Sequence, residues 1–101
     1  MTPSRHGQAF IDQLLALIPG AAMGDLIERP WHSATFTGLR MQFPVKLTGD
    51  DASAAAAAAA HLLPDHEFIL TRHFVAELTV GILPQSPGYA MLAIEALLLE
   101  E

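Results

Sequence analysis

The stretch YAMLAIEALLLEE, Tyr89–Glu101, decides the fold. Its Ala, Met, Leu and Glu residues all favour a helix by intrinsic propensity. Its surroundings point the other way. Before it runs FVAELTVGIL, Phe74–Leu83, with a strand-like composition, and between the two lies PQSPG, a Pro- and Gly-rich turn signal. A strand, a short loop and a second run of matching length fold back as a hairpin, so Tyr89–Glu101 reads as a strand. As a strand it presents Leu92, Ile94, Ala96 and Leu98 to one face.

Working upstream, strict period-two parity through EFILTRHFVAELTVGIL places Phe68, Leu70, Phe74, Ala76, Leu78, Val80 and Ile82 on the core face. Ile69, Thr71, His73, Val75, Glu77, Thr79 and Leu83 then share the opposite face. DDASAAAAAAAHLLP is a helix: Asp50 or Asp51 caps its positive end, alanine has the best helix propensity, and Pro64 closes it. Alanine has little side chain, so this helix should lie close to the sheet it covers.

In LRMQFPVKLT, Met41, Phe43, Val45 and Leu47 alternate with Arg40, Gln42, Pro44 and Lys46. Pro44 has no N–H to donate, which predicts an edge or a bulge on one side of that strand. WHSATFT reads as its hairpin partner, with the turn at Thr37-Gly38. AAMGDLIERP, bounded by Gly and Pro, reads as a connector. At the start, Thr2 caps a helix with Pro3 at its first position, and Phe10, Ile11, Leu14, Leu15, Leu17 and Ile18 form an apolar stripe that Pro19-Gly20 ends.

The result is a single α+β domain over residues 1–101 with element order αββαββ. A four-stranded antiparallel sheet carries both helices on one face.

Composition bounds the function. Of 101 residues, 51% are hydrophobic and 16% charged, which is a globular balance. There is no cysteine, hence no disulfide framework and no thiolate nucleophile, as expected in a reducing cytoplasm. The first residues do not read as a signal peptide, and no apolar run suffices to span a bilayer. The net charge of −6, with Arg5, Arg29, Arg40, Lys46 and Arg72 scattered along the chain, argues against nucleic acid and against an anionic membrane surface.

Two glutamates stand out. Pairing Leu83 with Tyr89 across the second hairpin sets Glu77 opposite Glu95 on the face away from the helices, where a dimer would partly bury Glu77. Like charges directly opposite are destabilising. Such a pair shares a proton or holds a hard cation, with His73 nearby; alternatively the register is shifted by two, or both carboxylates reach solvent or a basic partner. Around them Ile69, Val75, Leu83, Tyr89, Met91, Leu97 and Leu99 interrupt the polar alternation expected of a wet face. A contiguous apolar patch of this kind marks a partner surface, most simply a second copy of the chain, unless a loop such as residues 19–30 covers it.

Other chemistry is thin. His6, His32, His61, His66 and His73 show no metal-ligand spacing, and there is neither a phosphate-binding Gly-rich loop nor a GxSxG elbow. No metal or cofactor is expected. The reading is a non-catalytic module that forms a homodimer or binds a protein partner through Ile69, His73, Val75, Glu77, Met91, Glu95, Leu97 and Leu99. The alternative is a small-molecule or metal binder, or a modest enzyme, using Glu77, Glu95 and His73.

Overall fold

The computed structural model describes residues 3–101. The expected cap at Thr2 lies outside them. The first helix, α1 (Arg5–Ala16), is capped instead by Ser4, whose Oγ accepts a hydrogen bond from the Gly7 N–H at 3.0 Å. The Ser4 N–H and hydroxyl in turn donate to the Glu28 carboxylate at 3.1–3.3 Å. Glu28 thereby sets a negative charge against the positive end of α1 and ties the helix to the sheet. Phe10, Ile11 and Leu14 form its buried stripe.

The second helix, α2 (Ala52–Leu62), follows Asp51, which occupies the capping position without a side-chain hydrogen bond and so contributes charge alone. Pro64 sits in the 3-10 turn Leu63–Asp65 that ends the element. Ala52, Ala56 and Ala59 are buried, at helical spacings of four and three.

Five antiparallel strands occupy four positions of one sheet. They are β1 (Ala22–Met23), β2 (Ile27–His32), β3 (Thr37–Thr48), β4 (His73–Ile82) and β5 (Tyr89–Glu100). The order is β1-β3-β5-β4, and β2 shares with β1 the same edge of β3. Tyr89–Glu100 is a strand despite its helical propensity: it lies between β3 and β4, paired on both sides. Met41, Phe43, Val45, Leu92, Ile94 and Leu98 point inward and join Phe10, Ile11, Leu14 and the α2 alanines in one core. Each of these side chains larger than alanine contributes roughly 1.5–3 kcal/mol by leaving water. The α+β class and one antiparallel sheet with both helices packed on it are as the sequence implied; the order αββαββ holds roughly, with a fifth strand added because the segment before β3 forms two short strands.

Three local expectations are corrected. The connector AAMGDLIERP is mostly strand, since β1 and β2 take it up and extend the pairing of β3. The first turn lies at Ser33–Phe36, where the Ser33 N–H donates to the Phe36 carbonyl at 2.9 Å and Ser33 Oγ accepts from the Phe36 N–H at 3.0 Å. Gly38 is buried near the start of β3 instead, where a Cβ would collide with the Leu98 carbonyl oxygen. The third correction concerns β4, where the pairing slips between Val75 and Glu77. Ala76 is an extra residue, a β-bulge, and the strand residues before it, His73–Val75, turn to the opposite face, whereas Phe68 and Leu70 join the core as expected. Val75 and His73 therefore point inward rather than outward, and Phe74 points outward rather than into the core. Pro44 fulfils its expectation by a bulge: it faces the break between β1 and β2, where the Gly24 N–H donates to its carbonyl at 2.9 Å.

Candidate functional site

The sheet face away from the helices is open. Residues 19–30 do not cover it, since they lie along its edge as β1 and β2. Register assigns its occupants: Ile27, Arg29 and Trp31 from β2; Arg40, Gln42, Pro44 and Lys46 from β3; Met91, Ala93, Glu95, Leu97 and Leu99 from β5; Phe74, Glu77 and Thr79 from β4.

The glutamates do not pair. Leu83 bonds to Met91 rather than Tyr89, because the turn is centred on Pro87-Gly88, with Gly88 at φ 75°. This shifts the register by two, setting Thr79 opposite Glu95 and Glu77 opposite Leu97. The two glutamates become diagonal neighbours, a position whose backbones stand roughly 7–8 Å apart in such a ladder. Glu77 is exposed in the single chain, and the Gln42 side chain donates to Glu95 at 3.0 Å. The like-charge pair on this face is a different one: Arg29 stands directly opposite Arg40. A dent of about 130 Å³ opens between them, walled by Ile27 and Gln42.

The apolar part also differs from expectation in detail. Leu97 and Leu99, at 4% and 7% exposure, are already covered by neighbouring side chains within the chain. The apolar groups that reach solvent are Ile27 (46%), Phe36 (42%), Leu83 (38%) and Phe74 (36%), with Met91 half-buried. Phe36 and Phe74 meet edge to face at 6.4 Å over one end of the sheet. Ile69 is highly exposed but belongs to the irregular segment before β4, not to this face, because no strand extends that far upstream.

His73 lies apart from both glutamates, on the inner side and only 6% exposed. Its ring stacks on His6 of α1 at 3.8 Å, and its Nδ1–H donates to the Thr71 carbonyl at 3.2 Å. The constellation of Glu77, Glu95 and His73 is therefore not assembled in one place. Beside the two imidazoles lies a cleft of about 530 Å³ whose wall includes Arg5, Arg72 and Glu100. Among the described residues no group of three or more His, Asp or Glu side chains is placed to hold a metal ion.

The cations, scattered in sequence, collect in space. Arg29, Arg40 and Lys46 lie on the open face, and Arg5 and Arg72 line the cleft. Period-two alternation of Ile27, Arg29 and Trp31 was a usable signal for the first group, hidden by Pro30. Nothing in the sequence marked Arg72, whose position depends on a left-handed backbone at φ 58°. No family model, curated protein or solved structure matches the chain. Among the described residues no helix is long and apolar enough to cross a membrane.

Proposed function

We propose that the protein is a self-associating module whose open sheet face packs against the same face of a second copy. The observation that carries this reading is the division of charge on that face. Arg29, Arg40 and Lys46 occupy the β2–β3 half, and Glu77 and Glu95 the β5–β4 half. A two-fold axis parallel to the strands and lying between the two sheets sets each half over the opposite half of the other copy. Cations then meet carboxylates twice, and such an isologous contact closes as a dimer. An axis across the strands would set like over like.

Two further features support it. The facing guanidiniums of Arg29 and Arg40 repel each other in the isolated chain, and the dent between them has room for a carboxylate from a partner. The area also suffices. Strands of twelve residues run about 40 Å, and four ladder positions span roughly 15–20 Å. That approaches the standard interface of about 800 Å² per partner. Ile27, Trp31, Phe36, Phe74 and Met91 supply the apolar contacts, and the binding is non-catalytic.

Sedimentation equilibrium tests it. A dimer with a dissociation constant in the micromolar range or tighter is expected, weakened at least tenfold by Phe74→Asp. A chain that stays monomeric at several hundred micromolar would remove the proposal.

A further inference from the structure

A second site, independent of the sheet face, lies in the cleft between the first turn of α1 and the segment entering β4. Two cations line it, Arg5 and Arg72, in a chain whose net charge is −6. Arginine guanidiniums present fixed forks of N–H donors that suit phosphate and carboxylate oxygens. The same wall carries two acceptors. Glu100 offers a carboxylate. His73, 94% buried by its 6% exposure, spends its Nδ1–H on the Thr71 carbonyl, which leaves Nε2 as the lone-pair nitrogen of the neutral ring. No buried side-chain polar atom lacks a partner among the described residues, so Nε2 is not sealed from solvent, and His73 is part of the cleft wall.

The backbone gives a separate indication. Arg72 has φ 58°, the left-handed region where glycine is at ease and a long side chain costs free energy. Non-glycine residues held in such conformations concentrate at functional sites. The imidazoles of His6 and His73 stack in the same wall, with ring centroids 3.8 Å apart. Among the described residues no group of three or more potential metal ligands includes them.

We infer that this cleft binds a small hydroxylated oxyanion, a sugar phosphate or a sugar acid, with its anionic group on Arg5 and Arg72 and its hydroxyls donating to His73 Nε2 and Glu100. The volume of about 530 Å³ is that of a metabolite site.

The test is titration of the whole chain with glucose 6-phosphate, gluconate, inorganic phosphate and glucose, followed by the histidine ring resonances in NMR. Glucose 6-phosphate or gluconate should shift the His6 and His73 signals with a low-millimolar or tighter dissociation constant. The tighter of the two identifies the anionic group. Phosphate and glucose should each bind at least tenfold more weakly, since each supplies half of the recognition. Arg72→Gly should abolish the shift while raising the melting temperature by a few degrees, because glycine relieves the left-handed strain. Arg5→Gln should weaken binding without changing the fold, and Arg29→Gln on the sheet face should leave it intact. Absence of a shift with both hydroxylated anions at tens of millimolar, or equal binding by Arg72→Gly, would overturn the assignment.

Discussion

The central and edge strands of this sheet are built differently. β3 and β5 run twelve residues each, and their pairing from Gly38–Leu99 to Thr48–Tyr89 never slips. Both edges are broken. β1 and β2 carry one extra residue between Met23 and Ile27 relative to β3, and β4 carries Ala76 as an extra residue relative to β5. A strand paired on both sides cannot slip without losing two ladders. An edge strand can accommodate a bulge, which also twists it and discourages edge-to-edge aggregation. The consequence extends to both candidate sites. The bulge at Ala76 turns Phe74 out onto the open face and His73 in toward the cleft, and the break opposite Pro44 precedes the β2 register that sets Arg29 against Arg40.

This contrast predicts a gradient of mutational cost. Ile94→Ala, in the middle of β5 at 1% exposure, should cost about 3 kcal/mol by leaving a cavity under both helices. Ile82→Ala, on the edge strand, should cost well under half of that. Urea titration of both variants measures the difference, and equal costs would mean that the edge is as rigid as the centre. Deleting Ala76 removes the bulge and leaves Val75 opposite Leu98 and Phe74 opposite Leu99, so every residue of β4 keeps its face. The expected cost is about 1 kcal/mol, from straightening an edge that the bulge twists. Histidine modification by diethyl pyrocarbonate checks the faces: His73 should react no faster in the deletion variant than in the wild type, and faster reaction would mean that the segment before Ala76 has turned over. A similar cost, about 1 kcal/mol, is expected of Ser4→Ala for the lost cap of α1. It should be accompanied by faster amide exchange in the first helical turn, and no change in exchange would assign the capping role to Glu28 alone.

The same contrast explains what the sequence made legible. Wherever a strand is paired on both sides, period-two alternation reports the face correctly. Met41, Phe43, Val45 and Leu47 are buried as expected, and so are Leu92, Ile94, Ala96 and Leu98. At the edges one unannounced residue inverts the parity. Val75, His73 and Phe74 were thus assigned to the wrong faces by a rule that holds four residues later. Ala76 has no distinctive chemistry to announce a bulge. Gly24 and Pro44 did mark the other break, and Pro44 was read as such, but the flanking strands were too short and too interrupted to be recognised. The candidate sites suffered more than the fold. The apolar character of the outer face was legible from β5, whereas its charge division requires knowing that β2 and β4 lie at opposite edges. That order is set by β3 and β5 pairing across the long α2 connection, a contact that no local pattern encodes.

The division of charge on the open face can be interrogated by mixing two variants. One is Arg29→Glu with Arg40→Glu, which makes the face uniformly acidic apart from Lys46. The other is Glu77→Arg with Glu95→Arg, which makes it uniformly basic. By sedimentation velocity at low salt, each alone should be monomeric at concentrations where the wild type is dimeric, and an equimolar mixture should recover the dimer as a heterodimer. Wild-type-like dimers of either variant alone, or a mixture that stays monomeric beside a dimeric wild type, would contradict the account.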